Sequence, residues 1–470
     1  MERPTKFLVL LSMLWIQLLS GQDSLMLSHQ EFIAVVRNYH PLAFSYQLQR
    51  KIAAAEVQRA KGNFDPLLSA KAGEKNIDGT RYYEQKNIAL EVPTWYGIDL
   101  QGSYNQLNGE RLNPSDTQGG LYQFGLTIPL ARNLLYDKRR ALLEQAKSAQ
   151  KMTDAEQNLL MNNLMLEAER VYWSWVKNFE VYKLQKQMVG INRERLSLTK
   201  KTFEYGERPA IDTVEAAAHL QNFEILERDA FLNFVKSSQE LQVYLWTEDR
   251  EIYVPSKALY PATDLDGHEA FGDFEFLVQK TASQQINTHA ALEYYFQKEQ
   301  ILQSDRRLKW QNLLPKVDLT YNFFNKEHYR TAFLPFFNTN FQYGVKFEIP
   351  LFLRQARADY EIAKLKIEQN QADMHLKSRE INTKIEVYKN ELLNYADQIN
   401  MVSQNMANYK RLLNAEQMRY NNGESSLFLI NSRETKFLES QEKLLDLKTK
   451  FLNSYNQLKW LNASFLTEGN

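Results

Sequence analysis

The residue types that do chemistry are present in this 470-residue chain, but they are not arranged to do it. The seven histidines are scattered, and no two stand at the helical spacing that lets a pair grip a metal. There is no cysteine. That removes thiol catalysis, thiolate zinc sites and disulfides. No Gly-rich phosphate loop and no strained serine elbow occurs. Carboxylates are many, but they alternate with Lys and Arg as on a solvated helix surface. No catalytic residue, metal site or cofactor is therefore expected. Two short breaks stand out instead. EYGERPAID, with Gly206 and Pro209, and NNGES, with Gly423, each interrupt a long helical run. A turn at the far end of a long hairpin has no core to serve. It is either a plain turn or a surface for interaction and gating.

The elements that would position these turns can be read from composition and period. Lys and Arg number 57, as do Asp and Glu, so net charge is zero and a nucleic-acid partner is not expected. Arg3 and Lys6 precede the apolar run Phe7 to Leu19, with Ser20 and Gly21 behind it. This is the layout of a signal peptide over 1–21. No later segment is apolar for long enough to be a spanning helix. An exported chain of this kind is soluble, or it crosses a membrane only as a β-barrel.

Beyond the signal the chain divides into two halves. The first, 22–246, opens with helices and then alternates apolar and polar residues over 67–130. It closes that zone with QFGLTIPL. From Lys138 the period changes to about 3.6, with no Pro and only Gly190 before the break at Gly206. That predicts one continuous helix on the order of 100 Å long. A returning helix from Pro209 completes a helical hairpin over 138–246. A connector or equatorial segment, 247–282, follows; from about Thr247 to Gly272 it is rich in Pro, Asp and Gly and reads as wrapped on the outside. The second half, 283–470, repeats the order: a helix from about Ser283 to Trp310, a β-hairpin over 316–351 ending in QYGVKFEIPL, and a helical hairpin over 354–462. An internal duplication is the simplest account.

Two hairpins give about four strands per chain, too few to close a barrel in lipid. Three copies would supply about twelve, so a homotrimer is the natural closure. The fold class expected is a membrane β-barrel joined to a long α-helical barrel. Aromatic residues near the strands suit a membrane girdle: Tyr82, Tyr83, Trp95, Tyr96 and Tyr122 in the first half, Phe324, Tyr329, Phe333, Phe336, Phe337 and Phe341 in the second. The first β zone is longer by roughly 28 residues, with turns at Gly79, Pro93 and Asn108-Gly109. This predicts an added hairpin that extends the barrel, lines it or covers its mouth.

The order and spacing of these phrases resemble the TolC-like outer membrane efflux protein family. The stretch His40 to Ala70 and EYGERPAIDTVEA, Glu204 to Ala216, are similar to that family's patterns. The resemblance covers nearly all of the mature chain. It implies a trimeric tube in the outer membrane with a helical extension into the periplasm. It also implies docking to a periplasmic adaptor (membrane fusion protein) and an inner-membrane pump. Gly206 and Asp212 match the family's first tip; Tyr420 and Gly423 match the second. Ser425 stands where some relatives place an Arg that is held to the first tip's Asp. Leu429 and Ser432 stand where relatives have aspartates ringing the entrance. The closing ion pair and that ring are therefore expected to be absent, with Leu427 and Phe428 as an apolar alternative closure.

The leading expectation is an outer-membrane exit duct for drugs, metal ions or secreted polypeptide, with outer-membrane lipid around its barrel. A type I secretion duct and an exported coiled-coil scaffold without a pore are the alternatives. An exported enzyme is disfavoured by the absence of a convergent polar site.

Overall fold

The computed structural model describes residues 25–255, 258–262, 265, 268–283, 289–326 and 340–462. The signal segment and the aromatics Tyr329, Phe333, Phe336 and Phe337 lie outside the described residues. The chain is mostly helical with one large sheet, and it forms two compact units.

One unit, Gln47–Leu159 with Asn287–Glu380, holds the sheet. Its strands are β2 (Leu67–Ile77), β3 (Thr80–Pro93), β4 (Asp99–Asn108), β5 (Gly119–Pro129), β7 (Lys316–Lys326) and β8 (Phe341–Glu348). They pair in that order, each antiparallel to the next. The expected four strands per chain become six. The added residues of the first half form a hairpin within the same sheet.

Register explains the sheet's two faces. Leu68, Leu90, Gly102, Phe124, Phe323 and Phe341 form one row across all six strands. The neighbouring row is Leu67, Glu91, Gln101, Gly125, Asn322 and Gln342. Successive residues of a strand point to opposite faces, so the rows alternate apolar and polar. The apolar face stays exposed: Leu68, Ile88, Tyr122, Val345 and Phe347 each show more than half of their surface. The polar face surrounds a cavity of about 750 Å³, lined by Gln85, Asn105, Gln123 and Gln342. The β4–β5 loop, with Arg111, Asn113 and Asp116, lines the same cavity. At Gly125 the Asn322 side chain fills the space beside the backbone: a Cβ would sit 2.4 Å from its Oδ1 and make that side chain swing away.

The same unit contains the crossings from strand to helix. After β5 the backbone turns through Asn133, at φ 73°. Arg140 then collects the carbonyls of Asn133, Leu134 and Leu135 at 2.8–3.0 Å. Asp137 accepts from the Arg140 amide at 2.8 Å, satisfying a free donor where α3 (Lys138–Glu204) begins. After β8 the turn uses Leu353, at φ 49°, before α7 (Arg354–Asn421).

The other unit comprises, of the described residues, 25–46, 160–283 and 381–462. Short parallel strands β1 (Leu25–Leu27) and β6 (Leu259–Pro261) pair in it. α1 (His29–Tyr39) starts at a capping box: the Glu31 amide donates to the Ser28 hydroxyl, and the Ser28 amide to the Glu31 carboxylate. Tyr172, Trp173, Trp175 and Phe32 are fully buried. Beside them Glu169 accepts from His29 and from the Trp173 indole at 2.9 Å. His268 meets the same cluster, its ring centre 4.7 Å from that of Trp173.

α4 (Ala210–Gln242) and α8 (Leu427–Leu461) are the return helices. The connector contains a helix, α5 (Ala270–Ser283). Its Phe271 stacks on Phe451 of α8, ring centres 4.8 Å apart, so an apolar face holds the helix in place. One boundary needs correction. The helix expected from Ser283 begins instead at Ala290, as α6 (Ala290–Gln311), with the His289 ring accepting from the Ala291 amide. α2 (Pro41–Lys61) precedes the sheet and packs Val57 and Ala60 against Leu143 of α3.

Candidate functional site at the helical tips

Both breaks fold into the same turn. At the end of α3 the Glu207 amide reaches back to the Thr202 carbonyl at 2.9 Å, and the Gly206 amide to Phe203 at 2.9 Å. At the end of α7, Glu424 reaches Arg419 at 2.9 Å and Gly423 reaches Tyr420 at 3.0 Å. These are paired Schellman closures, which satisfy the last carbonyls of a helix and need a left-handed residue. Gly206 (φ 75°) and Gly423 (φ 79°) supply it. No atom stands within 4 Å of an added Cβ at either place, so the backbone alone demands glycine.

Pro209 lies just ahead of α4 in an extended conformation, at φ −74° and ψ 152°. Asp212 is in the first turn of α4, where the helix dipole favours an acid. Its partner is Arg208 of the same tip, 3.8 Å away. Ser425 does not stand in for the missing Arg. Its hydroxyl donates to Glu416 on its own hairpin. Ser426 caps α8 by accepting from the Leu429 amide at 3.4 Å. Leu427 and Phe428 part company: Leu427 is 1% exposed and Phe428 68%. Leu427 is thus packed inside its own chain, and of the two only Phe428 presents its ring to solvent.

The tie between the tips is Arg208, which the sequence reading did not single out. Its guanidinium stands over the Tyr420 ring at 4.1 Å and donates to the Tyr420 carbonyl at 3.2 Å. The two atoms come from turns 212 residues apart. Only the folded pairing of the hairpins reveals the contact.

A second lock lies a few turns behind. Glu434 of α8 is 2% exposed and takes two hydrogen bonds from Arg195 of α3, at 2.7 and 2.8 Å. Asn192 donates to it at 3.0 Å. The His219 Nε2 of α4 lies 3.5 Å off, too far for a good hydrogen bond but close enough for attraction. Burial alone would raise the Glu434 carboxyl. His219, Arg195 and Asn192 outweigh that and hold it at about 2. Asn431 adds a bond from α8 to Glu215 of α4, at 3.1 Å. Three helices thus meet at one buried charge. Apolar packing by Met188, Val189, Leu220, Phe223 and Leu438 continues the joint.

Among the described residues no group of His, Cys, Asp or Glu could hold a metal ion. None of the described helices is long and apolar enough to cross a membrane.

Comparison with known proteins gives this arrangement a context. Residues 291–462 match the family model described as outer membrane efflux protein. Over that stretch the resemblance read from the sequence holds. No curated protein matches the chain by sequence. Solved structures share the fold. The Campylobacter jejuni CmeC outer membrane channel is 14% identical, with a TM-score of 0.63 over 92% of this chain and 84% of that one. The open state of the Neisseria gonorrhoeae MtrE outer membrane channel is 12% identical, with a TM-score of 0.64 over 92% and 88%. The outer membrane protein VceC of Vibrio cholerae is 13% identical, with a TM-score of 0.62 over 92% and 95%.

Proposed function

We propose that this chain, whose second half carries the outer membrane efflux protein domain, is the outer-membrane duct of a tripartite efflux or secretion system. It works as a homotrimer. Three sheets close a barrel in the outer membrane, and the helical hairpins extend into the periplasm. The tips around Gly206, Pro209, Asp212, Tyr420 and Gly423 form the end that a periplasmic adaptor grips and opens. An inner-membrane pump supplies the energy, and the duct itself performs no covalent chemistry. We read the chain as two repeats, 22–246 and 283–470, joined by 247–282.

The observation that carries this reading is the two-faced sheet. An exposed apolar face opposite a concave polar one has no place in water, but it suits a wall between lipid and a filled lumen. The tips support the gating part. Arg208 and Tyr420 join the two hairpins by a contact at the surface, where a docking partner could replace it.

Fractionation followed by bilayer recording tests the reading. A detergent-requiring, heat-modifiable trimer that conducts ions is expected. A water-soluble monomer, or an elongated particle extracted without detergent, would favour the scaffold and end the duct.

A further inference from the structure

We propose that β2 and β3 are part of the membrane wall, so that each chain contributes six strands and β2 of one chain pairs with β8 of the next. This rests on the duct reading and departs from the four strands per chain that the repeats suggested.

Three observations carry it. First, the strands pair continuously from β2 to β8 through the row that starts at Leu68 and ends at Phe341, with the β2–β3 register shift lying away from that row at Lys75/Asn76. Second, the half of the hairpin that holds Leu68 and Leu90 keeps the same division of faces, while Glu74, Glu84 and Lys86 put charge on the apolar side nearer the Asp78–Gly79 turn. Leu68, Ala70, Ile88 and Leu90 continue the apolar face; Ser69, Lys71, Asn87 and Gln85 continue the polar one. A hairpin folded across the mouth or down the lumen would be wet on both sides. Nothing would then keep Leu68 and Ile88, at 69% and 52% exposure, aligned with Phe124 and Tyr122. Third, the free edges match. Among the described residues β2 and β8 each have one neighbour. Strand direction alternates across the six, so β8 laid beside β2 of another copy is antiparallel like every other pair in the sheet. An edge left bare in lipid would expose its amides and carbonyls at several kcal/mol each.

A second copy of the same chain is therefore the occupant of each edge. With three copies the wall has about eighteen strands, and its diameter is about half as wide again as that of a twelve-stranded one. Barrels of that size hold an open aqueous channel. The β4–β5 loop, which lies against the polar face, narrows the outer mouth without closing the wall.

The absence of native cysteine makes the seam testable by cross-linking. Ser69→Cys, Lys71→Cys or Gly73→Cys in β2 is combined in turn with Gln342→Cys, Gly344→Cys or Lys346→Cys in β8. All six positions lie on the polar face. Oxidation of outer membranes is expected to give a dimer and trimer ladder from at least one pair, lost on reduction. Ser103→Cys in β4, combined with the same β8 positions, is expected to give no ladder in the full chain. It is expected to give one when 67–93 is deleted, because β4 then becomes the edge. A β4–β8 ladder in the full chain would overturn the proposal. So would electron microscopy of the purified assembly showing four wall strands per chain. A soluble monomer would instead overturn the duct reading. Six wall strands per chain in a dimer would keep the inference and reject the trimer.

Discussion

The Arg208 guanidinium covers the ring of Tyr420 at 4.1 Å and donates to its backbone carbonyl at 3.2 Å. One side chain thus uses two features of a residue on the opposite hairpin, and neither is the phenol hydroxyl. Arg208→Ala and Tyr420→Ala are each expected to remove a tie of about 1–2 kcal/mol and raise the open fraction of the entrance roughly 5- to 30-fold. Tyr420→Phe should behave as wild type. Single-channel recording of the variants decides: a Tyr420→Phe channel as leaky as Tyr420→Ala would show that the hydroxyl, not the ring, makes the contact.

Leu427 and Phe428 are neighbours with opposite environments. Leu427→Ser is expected to destabilise the helical unit by about 2–4 kcal/mol, because it puts a hydroxyl into a buried site. Phe428→Ser should leave melting unchanged and alter conductance or antibiotic leakage. Thermal melts of both variants beside recordings separate packing from gating. Unchanged conductance with Phe428→Ser removes that ring from the gate.

Sequence pattern revealed the strands, because alternation in QFGLTIPL and QYGVKFEIPL is a local signal. It revealed the turns for the same reason, since a left-handed residue between two helices asks for Gly206 and Gly423. It did not reveal Arg208, whose partner is 212 residues away. Nor did it reveal β1 and β6, three residues each, too short to show a period. The length of α5 was hidden by the breakers beside it, and only Phe451 on another helix explains why it forms. The side on which the added hairpin lies is likewise a matter of register with β4, which no local window contains.

Glu434 offers a stability test. Its carboxyl is held at about 2 against an ordinary 4.5. A lowered folded value means stability that is full above the unfolded value and lost as pH falls from about 4.5 to about 2. The whole contribution is roughly 3 kcal/mol. Glu434→Gln leaves Arg195 buried without its anion and should cost about 3–5 kcal/mol at neutral pH. Melting curves between pH 2 and 7 check both statements. A variant that melts like wild type at pH 7 would falsify the lock.

His268 acts in a higher range. Burial, then the nearby His29, lower it from 6.5 to about 4. It is neutral when folded at pH 7, while the unfolded chain takes up a proton below about 6.5. Stability should therefore decline as pH falls from about 6.5 to about 4. His268→Phe should flatten this part of the melting profile. An unchanged slope would assign it to another group.

Gly206→Ala and Gly423→Ala test the turns. Each should cost about 1–2 kcal/mol through backbone strain alone, since an added Cβ meets no atom. Asn should cost less than Ala at both positions. Equal losses with Ala and Asn would mean that something other than the left-handed backbone fixes glycine there.

The bare edges of β2 and β8 also bear on how the molecule is made. A single chain cannot rest in lipid with two open seams, and in water the same seams invite indiscriminate pairing. In the shared wall proposed above, insertion and assembly are expected to be coupled, with each chain escorted until its sister copies arrive. Biogenesis, more than transport, is the step at which a lone copy is most vulnerable.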